Sequence, residues 1–252
     1  MANSLVLITG GSRGLGRSAA SFLAARGHDV IVTYLRNRAE AEAVAAEIAA
    51  SGRKAAALQL DTAAVSGFGD FAARLKATLG ETFGRGDFDA LINNAGHGVA
   101  KPFAETTEAD LDGLVNVHFK GVYFLTQALL PLIRDGGSIL NVSSGLARFC
   151  MPGFSAYGPL KAAVDSLTRY MAFEFGPRRI RVNAIAPGAI ETDFGGGVVR
   201  DDHGVNAHIA AATALGRVGL PEDIGGAMAL LLSPESGWIN GQRIEVSGGI
   251  HL

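Results

Sequence analysis

Disulfides, cysteine-based metal sites and membrane spans are all missing from this sequence. Cys150 is its only cysteine, so no internal disulfide can form and no zinc site can be assembled from cysteine pairs. The six histidines show no metal-ligand spacing either. Neither sign of charge is in surplus. The 22 Lys and Arg residues are interspersed with 24 Asp and Glu, for a net charge of -2, which leaves no electrostatic footprint for nucleic acid or an anionic membrane. No apolar run approaches membrane-spanning length, and residues 1–4 lead into the first apolar run without the basic segment of a leader. With only eight prolines, no stretch reads as a linker. These absences point to a soluble cytoplasmic protein whose partner is a small molecule.

What is present is a chain of 252 residues, 48% apolar, long enough for one large domain with a sizeable core. Buried-strand patterns over residues 5–9, 29–34, 54–60, 89–92, 138–142, 181–185 and 242–246 alternate with helical patterns over 17–26, 39–50, 68–79, 108–133, from 157 onward and 221–232. That alternation predicts an α/β fold: a doubly wound parallel sheet with helices on both faces. The 34 glycines fit many tight strand-to-helix turns.

The first such turn reads Gly10-Gly11-Ser12-Arg13-Gly14-Leu15-Gly16. Glycines at 10, 14 and 16 permit a tight turn and let the backbone approach a pyrophosphate, whose charge then meets the free N–H groups and positive end of the following helix. Strand, glycine turn, helix and second strand together predict a dinucleotide site. The end of the second strand indicates which dinucleotide. No carboxylate appears until Glu40, whereas Arg36 and Arg38 stand there and Arg13 lies in the turn, so NADP(H) is favoured over NAD(H). Asp61, at the end of the third strand, either accepts from an adenine amino group or caps the helix near Ala63.

Ser143 and Ser144 follow the strand over 138–142, and Tyr157-Gly158-Pro159-Leu160-Lys161 opens the next helix. Tyr157 and Lys161 lie one turn apart on one helical face. In isolation that pattern more often marks a buried Tyr and an exposed Lys. As a functional pair, the ammonium acidifies the phenol. A phenol titrates near ~10 and one cation lowers it by about 1 to 3, so a second positive group, such as an oxidised nicotinamide ring, completes the shift. Ser144 would then stabilise a substrate oxygen by hydrogen bonding. Pro159 places the helix start close to Tyr157.

The helix over 108–133 is apolar on more than one face, which suggests a partner subunit on the side away from the sheet. Residues 189–213, with Gly195-Gly196-Gly197, look like a mobile lid over the substrate. Phe149, Met151, Phe154 and Phe194 would make a pocket apolar, His97 is a possible substrate contact, and Cys150 reads as a packed, inert thiol.

Thr9-Gly10-x-x-x-Gly14-x-Gly16, Asn93-Asn94-Ala95-Gly96, Asn116, Ser144, Tyr157-x-x-x-Lys161 and Pro187-Gly188-x-x-x-Thr192 occur in the order and approximate spacing of the short-chain dehydrogenase/reductase family, which the chain resembles over essentially its whole length. The resemblance implies a single Rossmann-type domain over 1–252 and a catalytic tetrad. In it Tyr157 is the general acid/base, Lys161 binds the nicotinamide ribose, Ser144 polarises the carbonyl and Asn116 positions a relay water. It further implies a cofactor cleft lined by Gly10, Ser12, Arg13, Gly14, Leu15, Gly16, Arg36, Asp61, Thr62, Asn93, Ala95, Gly96, Pro187, Gly188, Ile190 and Thr192, substrate contacts from Met151 and Phe194, and a homotetramer. The activity implied is NADPH-dependent interconversion of a ketone or aldehyde with its alcohol. A reductase of 3-oxoacyl chains on an acyl carrier protein is the alternative, weakened by Glu174 beside Phe173 where those enzymes tend to carry a basic residue. A non-catalytic dinucleotide sensor is the third reading.

Overall fold

The computed structural model describes residues 4–252, so the reading of residues 1–3 as lacking a leader lies outside it. Seven strands among the described residues form one all-parallel sheet in the order β3-β2-β1-β4-β5-β6-β7: β1 Leu5–Ile8, β2 Asp29–Tyr34, β3 Ala55–Gln59, β4 Phe88–Asn93, β5 Ile133–Val142, β6 Arg181–Pro187 and β7 Arg243–Val246. The interior strand β1, Leu-Val-Leu-Ile, has no exposed side chain, as expected for a strand covered on both faces.

Side chains alternate between two cores. Leu5, Leu7, Leu91, Ile139 and Val182 point to one, with Phe71 and Leu75 of α3 (Phe68–Thr78), Leu125 and Leu129 of α5 (Gly121–Leu129) and Leu167 and Met171 of α6 (Tyr157–Glu174). Val6, Ile8, Val30, Ile92 and Leu140 point to the other, with Leu23 of α1 (Gly14–Ala25), Val44 of α2 (Arg38–Ala50) and Met228 of α9 (Pro221–Leu231). This is the doubly wound arrangement. α1 and α9 meet closely because Gly225 has no side chain: a Cβ there would lie 2.7 Å from the Ser18 carbonyl carbon. No helix among the described residues is long and apolar enough to cross a membrane.

Two local expectations change. The helix anticipated over 108–133 is α4 (Glu108–Val115), a π turn over Asn116–Lys120 and α5, followed by a short 3-10 turn. The segment 189–213, read as a lid over the substrate, carries α7 (Val198–Asp201) and α8 (His203–Ala211). Gly195, Gly196 and Gly197 take left-handed φ of 62°, 78° and 80°, so they act as turn formers rather than as slack, and Asp202 caps α8 by accepting from Gly204 and Val205 N–H. Cys150 is exposed rather than packed.

Candidate active site

Because the sheet is parallel, β1, β4, β5 and β6 all end on one edge, and the order reverses between β1 and β4, where α/β sheets open a cleft. The turn after β1 is shaped by missing side chains. Gly10 and Gly14 have φ of 65° and 54°, and a Cβ on Gly16 would lie 2.7 Å from Asn94 Nδ2 and 2.9 Å from Gly11 Cα. Asn94 locks this turn by donating to the Thr9 and Gly10 carbonyls at 2.8 and 3.0 Å, while Thr9 Oγ1 accepts from Asn94 and Ala95 N–H. The half-buried Ser12 and the exposed Arg13 lead into α1, whose start has neither a side-chain cap nor an acidic residue in its first turn. Its first N–H groups stay available to an anion. Leu15 packs on the core beneath.

The residues of the other turns converge on this cradle. The Pro187–Thr192 arm brings Thr192 Cγ2 to 3.5 Å from the Cβ position of Gly14, Gly188 passes against Ser247, and Ile190 bridges to Gly219. Thr62 lines a small recess with Thr9, Asn93 and Ala95. A cleft of about 210 Å³ between the ends of β2 and β3 is lined by Leu35, Asp61 and Arg74. Asp61 Oδ1 accepts from Ala63 N–H at 2.8 Å within the turn that follows β3, and it caps no helix: the next helical turn begins at Val65 and α3 at Phe68, neither with a side-chain cap. The exposed Arg36 side chain makes no hydrogen bond or ion pair among the described residues, whereas Arg38 pairs with Glu42 at 2.7 Å. Arg13 reaches Asp193 at 3.5 Å and thereby ties the glycine turn to the 189–213 segment. A glycine cradle, an uncapped helix start and an unpaired cation at the end of β2 fit a dinucleotide diphosphate with its ribose.

Across the same edge stand Ser144, Tyr157 and Lys161. α6 begins at Tyr157, so Pro159 falls where a helix has no N–H partner to lose. Gly158 lets α6 approach the Ser144–Leu146 turn, since a Cβ there would lie 2.8 Å from the Leu146 oxygen. Tyr157 and Lys161 are only 6% and 5% exposed. Lys161 Nζ donates to the Val142 carbonyl at 2.7 Å and lies 5.5 Å from the centroid of the Tyr157 ring. Burial pushes the phenol well above its ordinary value, opposed by its hydrogen bond with Ser144. Burial also lowers Lys161 to about 7, with Asp165 opposing. Desolvation, rather than the ammonium expected from the spacing, therefore dominates the phenol.

The side chain of the Asn116–Lys120 π turn that packs on Tyr157 is His118. Asn116 is half-buried, with no side-chain hydrogen bond among the described residues. His118 is 1% exposed, its ring edge-on to Tyr157 with centroids 5.2 Å apart. His118 Nε2 lies 2.7 Å from the His97 carbonyl, which requires Nε2 to carry the proton. Nδ1 is then a buried lone pair with no partner. Burial, and then the Lys161 charge, lower His118 to about 2, so it is neutral. Gly96 admits the ring: a Cβ there would stand 2.6 Å from His118 Cε1. His118, which the motif pattern did not single out, lies in the same π turn as Asn116.

The apolar wall is partly as expected. Phe194 and Phe154 pack on Tyr157 at 5.7 and 6.4 Å, and Phe194 also covers Gly98. Phe149 turns away to His251 at 4.6 Å, and Met151 is half-buried with no ring contact to Tyr157. His97 stacks on His118 at 5.6 Å, so it reaches the site through that ring.

A family model described as Enoyl-(Acyl carrier protein) reductase matches residues 10–251. The hydroxynaphthalene reductase-like protein Arp2 of Metarhizium majus is 36% identical over 99% of this chain and 95% of its own length. A short-chain dehydrogenase from Burkholderia cenocepacia, solved in complex with NADP, is 34% identical over 99% of this chain and 98% of that one, with a TM-score of 0.90. LugOII, described as a promiscuous reductase catalysing keto-reduction at C1 during lugdunomycin biosynthesis, is 34% identical over 98% of this chain and 97% of that one, with a TM-score of 0.92.

Proposed function

We propose that this chain, which belongs to the short-chain dehydrogenase/reductase family of NAD(P)-dependent oxidoreductases, is an NADPH-dependent reductase of ketones or aldehydes, with Tyr157 as the proton donor. The observation that carries this reading is the buried phenol, hydrogen-bonded to Ser144 and one turn from Lys161, at the edge where the glycine cradle opens. Bound in that cradle, the reduced nicotinamide supplies the hydride. A phenol that burial keeps protonated is the form that donates a proton to a carbonyl oxygen, which favours the reductive direction. Ser144 donates to the same oxygen as negative charge develops. Lys161 holds the cofactor ribose, and its charge favours the phenolate left after transfer. His118 fixes the Tyr157 ring against the His97 loop, and Asn116, in the same π turn, positions a relay water.

The 189–213 segment serves as the lid, since Phe194 reaches Tyr157 and Asp193 reaches Arg13. The partly exposed Tyr123, Phe124, Tyr170 and Phe173 along α5 and α6 support assembly with further copies into a homotetramer.

The test is NADPH oxidation over a panel of ketones, aldehydes and a 3-oxoacyl thioester. Turnover of simple ketones supports the reading. Turnover of the thioester alone favours the carrier-protein alternative, and tight NADPH binding without any turnover favours a sensor. Arg36→Ala is expected to weaken NADPH by about 10- to 100-fold and leave NADH within twofold, the size of a lost charge-assisted contact to a 2′-phosphate. Equal losses for both cofactors would remove Arg36 from that role. His118→Phe keeps the ring but not the Nε2 proton. It is expected to lower kcat about 10-fold, as misplacement of a catalytic group does, with NADPH affinity within twofold by fluorescence titration; an unchanged kcat would count against His118.

A further inference from the structure

Below Ser144 and Lys161 lies a set of charges that the proposed mechanism does not use. Arg243, on β7, donates from Nη2 to the Ser144 main-chain carbonyl at 3.0 Å. Its Nε lies 3.0 Å from Asp165 Oδ2, an ion pair angled off a hydrogen bond. Its Nη1 donates to Glu245 Oε2 at 3.1 Å. Glu245 is held from its other side by Arg148 at 3.0 and 3.2 Å, and Arg148 also donates to the carbonyls of His251 and Ile250 at 2.7 and 3.1 Å. The Asp165 and Arg243 side chains are 10% and 20% exposed.

Such a pair is costly to desolvate and contributes little net stability compared with apolar packing. Its partners give it a different role. Asp165 follows Lys161 by four residues and so shares its face of α6. One guanidinium thus grips the main chain of the candidate hydroxyl donor and the carboxylate beside the candidate ammonium.

We propose that Arg243 is a positioning residue for the reaction, fixing Ser144 through its carbonyl and Lys161 through Asp165, with the C-terminal residues clamped by Arg148 as its outer support. This rests on the reading of Ser144 and Lys161 given above. The groups facing Lys161 are Tyr157 and Asp165 on its own helix, His118 from the π turn and the Val142 carbonyl from β5. Those facing Asp165 are Ser143, Arg243 and Arg169.

The linkage gives two variants opposite signs. Asp165 favours the charged amine, so Asp165→Asn moves the Lys161 midpoint down from about 7. Arg243 offsets Asp165, so Arg243→Gln moves that midpoint up. The experiment follows the Lys161 Nζ resonance by NMR titration in the full-length protein, alongside kcat, KM for a ketone and NADPH affinity. Arg243→Gln is expected to lower kcat by about 10-fold with NADPH affinity near the parent, and to lower Tm because Asp165 loses its buried partner, and Arg243→Lys to recover part of both. Midpoints that stay put or move together would overturn the proposal, as would a kcat loss matched by an equal loss of cofactor binding. Should Arg243→Gln fail to fold, Asp165→Asn and Arg243→Lys carry the same test. The titration reads the linkage without turnover, so a chain that reduced no carbonyl would fell the reading of the site and leave this inference to be decided by the midpoints.

Discussion

Tyr157→Phe is expected to lower kcat by about three orders of magnitude, within the range of ~10²–10⁴ for removal of a positioned general acid, while cofactor affinity and thermal stability hold. The substitution deletes one oxygen and keeps the ring, so the packing of Tyr157 against His118, Phe154 and Phe194 survives. What disappears is the proton that burial holds on the phenol. Ser144 keeps its hydroxyl, but a serine hydroxyl that transfers its proton becomes an alkoxide with no neighbouring group to take the charge, so it polarises the carbonyl without replacing the phenol. Lys161 is tied to the Val142 carbonyl and lies 5.5 Å from the centroid of the Tyr157 ring. Steady-state rates with a ketone that the parent reduces, paired with NADPH titration by fluorescence, decide the matter. Residual activity within tenfold of the parent would remove Tyr157 from the proton transfer.

What was legible in the sequence was local. The glycine turn, the Tyr157–Lys161 spacing and the seven strand patterns each depend on residues within a turn or a strand of one another, and a parallel sheet follows from their alternation, though its strand order does not. What was not legible depends on geometry that spacing does not encode. The motif singled out Asn116 and not His118, whose packing on Tyr157 joins two separate helices and leaves no trace in spacing. Glycine content does not reveal that residues 195–197 all take left-handed φ and build a turn. The Arg243 contact with Ser144 spans 99 residues and leaves no periodic trace. Arg13 reads as a phosphate-binding cation in sequence, yet part of its charge is already directed to Asp193.

Asn141→Leu is expected to be the most destabilising of the substitutions considered, by about 3–5 kcal/mol, the sum of two lost hydrogen bonds and the buried groups they leave unpaired. Asn141 has no exposed surface; it accepts from Asn93 Nδ2 at 2.9 Å and donates to Thr168 Oγ1 at 2.9 Å. Asn93 also donates to Thr126 at 3.1 Å, and Thr168 donates onward to the Val164 carbonyl at 2.8 Å. This polar ladder crosses from β4 through β5 to α6, joining the cofactor edge to the strand that leads to Ser144 and the helix that carries Tyr157 and Lys161. At about 2–4 °C per kcal/mol for a chain of this size, the leucine variant should melt roughly 6–20 °C below the parent, independently of pH. Asn141→Asp separates the ladder from simple packing. Its carboxylate would be buried with no cation, so its folded pKa is raised above the unfolded value of about 4. A raised folded value means that stability is retained below that pH and lost as pH rises, so the aspartate variant should approach the parent near pH 4 and fall away toward pH 7. If both variants melted with the parent across that range, the ladder would be dispensable, and the alignment of Ser144, Tyr157 and the glycine cradle would have to come from main-chain pairing alone.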